Sequence, residues 1–144
     1  MLKVRDGESI FGKYLVFENG VLLTEIDKQK FRLGKVLFVI TTENFSKSRI
    51  HLLKDDQAVA TALMPNLFLT QYWIEFNNEK YLLKKNIFGK KFILLFGKEK
   101  IGDVKPDGYG STTAVIDAPF SIPLEVRIFI SWIVKFTWLK QNAF

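Results

Sequence analysis

Residues 122–139 constrain this chain more than any other stretch, because they are apolar around most of a helical circumference and must be hidden from water. Ser121-Ile122-Pro123 marks a start: Ser121 can cap free backbone N–H groups, Pro123 is tolerated in a first turn, and Glu125 lies near the positive end of the helix dipole. At 100° per residue Ile122, Val126, Phe129, Ile133 and Phe136 form one stripe. Arg127, Ser131 and Lys135 recur every four residues on the far side, with Trp138 beside them. The pattern predicts a helix over about 121–141. Its apolar stretch would extend about 27 Å at 1.5 Å per residue, close to the hydrocarbon thickness of a bilayer. Arg127 and Lys135 would each cost about 2.5–3.5 kcal/mol inside a membrane, so burial in a protein core is favoured, with a C-terminal spanning helix that anchors a soluble β domain as the alternative. In a core, each large side chain of such a helix contributes roughly 1.5–3 kcal/mol.

What encloses the helix is read from the rest of the chain. Its 144 residues suit one domain, 1–144, with one core. Fourteen Phe and an aromatic content of 15% favour pleated surfaces. Strands are expected at 10–17 and 21–26, joined through Asn19-Gly20, a pair suited to a tight hairpin turn. Further strands are expected at 31–41, with a polar loop over 42–48, and at 49–54, followed by a turn at Asp55-Asp56. Residues 58–64 read as a strand ending before Pro65, with a short helix as the rival. Strands at 69–76 and 80–85 flank a turn over 77–79, with Tyr72, Ile74 and Phe76 on one side of the pleat and Trp73 and Glu75 on the other. Strands at 91–96 and 101–105 surround 97–100, and turn-rich 106–110 leads into 112–117. Roughly ten to twelve short strands would leave exposed edges in an open sheet. A closed antiparallel barrel of about 12 strands around the buried helix removes them, with a sandwich as the other solution.

Nothing in the sequence assembles a catalyst, and the chain reads as non-enzymatic with no cofactor. The absence of cysteine excludes disulfides, thiolate zinc sites and cysteine nucleophiles, and is compatible with a cytoplasmic location. Residues 1–25 show no apolar run of a secretory signal, so the mature chain is expected to start near Met1. His51 is the only histidine and reads as a strand-edge residue; a triad would have one possible base, and a zinc site would need Asp55 and Asp56. Those two carboxylates read as turn residues. Gly108-Tyr109-Gly110 resembles the start of a phosphate loop but has Thr113 where a third glycine would fall, and reads as a turn.

A net charge of +6 suits an anionic partner and solubility alike. The charge concentrates in residues 79–105, where eight lysines face only Glu79, Glu99 and Asp103. Lys84, Lys85, Lys90 and Lys91 flank Ile87-Phe88-Gly89, and Lys98 and Lys100 follow. Such a loop could dock on an anionic phospholipid surface, each lysine contributing about 1 kcal/mol, which would place the protein peripherally at a membrane. Lysines at hairpin ends also protect sheet edges, which is the structural reading of the same residues. Nucleic acid ranks lower as a partner, although Phe88, Phe92, Tyr81 and Trp73 could stack on bases, because only Arg5, Arg32, Arg49 and Arg127 are available for bidentate contacts. A protein partner is open.

The order of many short strands followed by one hydrophobic C-terminal helix resembles the tubby C-terminal-like superfamily, which includes the LURP-one-related proteins and the phospholipid scramblases. The local likeness lies in 81–105, where a Phe-rich strand pair ends in Lys100-Ile101-Gly102-Asp103-Val104, and in Ala118-Pro119-Phe120 leading into the helix. The resemblance implies a barrel of about twelve strands around the helix and a binding or scaffold role; tubby itself binds phosphoinositides through basic surface residues. The chain is shorter than the animal tubby pattern and has no recognisable copy of that headgroup site.

Overall fold

The computed structural model describes residues 1–7, 13–43, 49–64 and 71–142. Most of the loop expected over 42–48, the strand end at Pro65, and the first residues of the strands expected from 10 and 69 lie outside them. Twelve antiparallel strands precede one helix: β1 Leu2–Asp6, β2 Tyr14–Glu18, β3 Val21–Ile26, β4 Lys30–Leu33, β5 Val36–Thr42, β6 Arg49–Lys54, β7 Gln57–Leu63, β8 Gln71–Phe76, β9 Glu79–Lys85, β10 Phe92–Phe96, β11 Glu99–Pro106, β12 Ala114–Asp117 and α1 Leu124–Asn142. Each strand pairs with its sequence neighbours except that β3 and β4 share no ladder, and β1 pairs with β12, so that Leu2 faces Ile116 and Val4 faces Ala114. The result is an up-and-down barrel whose one incomplete seam lies between β3 and β4.

Turn chemistry sets this meander. Asn19-Gly20, Lys28-Gln29, Asp55-Asp56 and Asn77-Asn78 all take positive φ at both residues, the hairpin geometry whose twist matches the strands. Gly34 and Gly97, at φ 62° and 63°, open the two other tight turns. Gly34-Lys35 corrects one expectation: the apolar run 31–41 is two strands, β4 and β5, because this glycine reverses the chain inside it. β1 was not expected from its five residues, two of which, Leu2 and Val4, are buried. Residues 58–63 lie in β7 and not in a short helix. The helix begins at Leu124, where the Pro123 carbonyl accepts from the N–H groups of Val126 and Arg127, later than a cap at Ser121 would place it.

Connections alternate between the two ends of the barrel. One end carries only two-residue turns between strands; the other carries the longer connections after β1, β5, β7, β9 and β11 and one tight turn at Lys28-Gln29. Inward residues of all twelve strands and of α1 form one hydrophobic cluster, from Leu2 and Val16 round to Val104 and Ile116. Barrel diameter grows with strand number: eight strands can be filled by side chains alone, whereas twelve leave room for a helix. Close packing continues where β12 turns into α1: a Cβ on Gly102 would stand 2.2 Å from the Asp117 carbonyl oxygen.

Arg127 and Lys135, the two cations within the apolar stretch of α1, are buried and partnered. Arg127 donates through Nε to the Ile122 carbonyl (3.1 Å), lies 3.5 Å from Glu18 and sits over the Phe120 ring, all at the tight-turn end. Lys135 donates to the Thr112 carbonyl and pairs with Asp6 at 2.9 Å at the opposite end. Ser131 and Thr137 donate to the carbonyls four residues earlier, and the Tyr72 hydroxyl meets Thr137 at 3.0 Å. No helix among the described residues is long and apolar enough to cross a membrane. The spanning-helix alternative is therefore replaced by a helix enclosed in its own barrel.

Burial lowers the Lys135 pKa, and the Asp6 carboxylate only partly offsets it. The unfolded chain thus holds this proton more tightly than the fold, and stability rises with pH between the depressed folded value and the ordinary lysine value. Asp6→Asn should destabilise the protein at pH 7 by about 1–2 kcal/mol, less than a fully buried pair would lose because Asp6 is half exposed. Denaturant unfolding across pH 7–10 should show that deficit shrinking as Lys135 neutralises.

Candidate functional site

The β9–β10 connection is the most exposed apolar feature near the lysine cluster. Ile87 and Phe88 are 87% and 88% exposed, far from the average fate of such side chains. Their loop is held at its base: the Asn86 N–H bonds the Lys91 carbonyl at 2.9 Å, and Gly89 takes φ 84° to turn the tip. From inside the barrel the Trp138 indole Nε1–H donates to the Lys90 carbonyl at 2.8 Å. One helix side chain therefore fixes the height of the loop above the core.

The structure divides the six lysines singled out in the sequence. Lys84, Lys85, Lys90 and Lys91 lie around this loop at the long-connection end. Lys98 lies in the turn at the opposite end, because β10 runs the length of the barrel between them, and Lys100 is the second residue of the return strand β11. Lys91 and Lys100 share Asp103, at 3.7 and 3.5 Å. Another tip at the loop end, among the described residues, is Tyr109, fully exposed between Gly108 at φ 89° and Gly110 at φ 76°, a turn as the sequence reading has it. Beneath the rim, a small cavity of about 80 Å³ is lined by Asp6, Tyr14, Lys90, Thr112, Lys135 and Trp138. Burial first, and the nearby Asp6 second, raise the Tyr14 pKa, so its hydroxyl stays protonated.

Across the barrel wall, His51 has more company than its sequence suggested. Its Nδ1 lies 3.0 Å from Thr61 Oγ1 and its Nε2 lies 3.1 Å from Glu43 Oε1, which also pairs with Arg49 at 3.7 Å. Strand register causes this, since Thr41, His51, Thr61 and Glu75 are successive cross-strand partners on the outer face. Small residues of β7 floor a groove of about 410 Å³ there, walled by Arg49, His51 and Glu75. The groove is open, and His51 sits in a hydrogen-bonded row of the kind that stabilises sheets. Among the described residues no three His, Cys, Asp or Glu side chains group to hold a metal ion. Asp55 and Asp56 are turn residues with φ 52° and 62°.

No protein family, characterised protein or solved structure matches this chain. Sequence spacing identified the lysines around 86–91 and could not identify the Trp138 anchor, which depends on the helix lying inside the barrel. Trp138→Phe removes the indole donor while keeping an aromatic ring. It should cost about 1 kcal/mol in stability. Amide exchange within 86–91 should accelerate while β6 and β7 remain unchanged.

Proposed function

We propose that this is a non-enzymatic, tubby-like barrel that docks peripherally on anionic phospholipid surfaces. The β9–β10 loop enters the membrane, and Lys84, Lys85, Lys90 and Lys91 meet the headgroups. The observation that carries the reading is the exposure of Ile87 and Phe88 on a loop tied down by Trp138. A surface that only kept the protein soluble would have no use for two bare apolar side chains at a fixed tip. Insertion of both would contribute roughly 1.5–3 kcal/mol each, and lysines near an anionic surface about 1 kcal/mol each. Lys91 contributes less than the others, since Asp103 already partners it.

The meander of twelve strands around a C-terminal helix supports the resemblance to the tubby C-terminal-like superfamily. A role on the cytoplasmic face fits the cysteine-free composition and the anionic lipid of that leaflet. Nucleic acid ranks below lipid: Phe92 is buried and Tyr81 is stacked between Phe76 and Phe96, so neither offers a free face to a base. Burial within that stack, followed by the hydrogen bond and charge of Glu79, raises the Tyr81 pKa to about 12.

Cosedimentation with vesicles of phosphatidylcholine alone or mixed with phosphatidylserine tests the reading. The full chain should pellet with the anionic vesicles and be released by high salt. Ile87→Glu combined with Phe88→Glu should abolish pelleting without loss of fold. Equal pelleting by this variant, or none by the native chain, would reject the loop as the docking element.

A further inference from the structure

The seam between β3 and β4 has chemistry of its own. Every other pair of neighbouring strands is joined by a ladder, whereas these two are tied only at their turn, through Asp27 and Lys30. Towards the tight-turn end, no backbone hydrogen bond among the described residues joins Val21–Ile26 to β4. A free edge of this kind is a ready template for another strand.

The two sides of the opening are unlike. β3 presents Val21, 63% exposed, and Leu22, 49% exposed, followed by exposed Leu23. Three consecutive exposed residues violate the alternation of a strand, and the irregularity opposite Val16 and Phe17 accounts for this by shifting the register there. β4 buries Phe31 and turns Lys30 and Arg32 outward, with Lys28 and Lys35 exposed in the turns at its ends. None of these four cations is in an ion pair among the described residues. Lysine on an edge strand discourages casual pairing, which covers β4 but leaves the bare aliphatic edge of β3 without a reason.

We propose that the seam accepts an extended acidic and aliphatic segment of a partner protein as an added strand along β3. Its backbone would take up the free edge, its apolar side chains would cover Val21 and Leu22, and its carboxylates would meet Lys28, Lys30, Arg32 and Lys35. This is strand addition, in which the main chain supplies affinity and the flanking side chains choose the sequence. A membrane or nucleic acid would satisfy the cations but leave the strand edge and its aliphatic side chains unmet. A second copy of this chain fits less well: its β3 offers only Glu25, already paired with Lys13 at 3.3 Å, and both copies carry +6.

The test is a titration of the labelled full chain, followed by backbone amide shifts, with a capped eight-residue peptide alternating glutamate and valine. A peptide alternating lysine and valine is the control. The acidic peptide should shift amides of β3 and β4 only, and the control should not bind. Lys30→Glu with Arg32→Glu should weaken binding by roughly tenfold, the scale of two exposed charge contacts. Leu22→Lys should block the edge while leaving vesicle pelleting intact, which separates this surface from the β9–β10 loop. No shifts at millimolar peptide, shifts elsewhere, or equal binding of the control would overturn the proposal. So would a dimer in sedimentation that Leu22→Lys disperses, since the occupant would then be a second copy.

Discussion

Burial of α1 inside the sheet is the interaction on which everything else rests. A twelve-strand closed sheet is too wide for its own side chains to fill, and a helix that is apolar on most sides is too greasy to stand in water. Each resolves the problem of the other. Val126, Ile128, Phe129, Ile130, Ile133 and Val134 are all buried, so every face of the helix meets barrel wall. The polar residues that break the apolar surface are accommodated by reaching the rims or the helix's own backbone. Arg127 extends to Glu18 at one end and Lys135 to Asp6 at the other, while Ser131 and Thr137 bond within the helix.

This arrangement also distributes function. Two-residue turns leave little surface to vary at one end, while the longer connections collect at the other, where a rigid scaffold can present them. The helix takes part directly, because the indole of Trp138 holds the loop that carries Ile87 and Phe88. The proposed membrane docking and the core packing would thereby share one residue. The seam between β3 and β4 lies away from that loop, so a lipid surface and a partner strand could be engaged by different parts of the same wall.

Much of the fold was legible because local chemistry and global topology agree. Asn19-Gly20, Asp55-Asp56 and Asn77-Asn78 each signal a reversal, and the alternation of Tyr72, Ile74 and Phe76 with Trp73 and Glu75 survives in their burial. The break at Gly34-Lys35 was hidden because apolar residues lie on both sides of it, so hydropathy alone joined two strands into one. β1 was hidden for the opposite reason: five residues with two apolar positions gain their meaning only by pairing with β12, more than a hundred residues away. The candidate site was half legible. Charge spacing located Lys84, Lys85, Lys90 and Lys91, but strand direction, which composition does not encode, sends Lys98 to the far end. The contacts of His51 with Glu43 and Thr61 depend on register and were likewise invisible.

Amide hydrogen exchange of the full chain in plain aqueous buffer tests the enclosed helix most directly. Amides from Ile128 to Thr137 should be among the slowest of the molecule, opening only with global unfolding, with no lipid or detergent present. Exchange there as fast as in the hairpin turns, or protection that arises only when detergent or vesicles are added, would contradict the account and return the helix to the membrane.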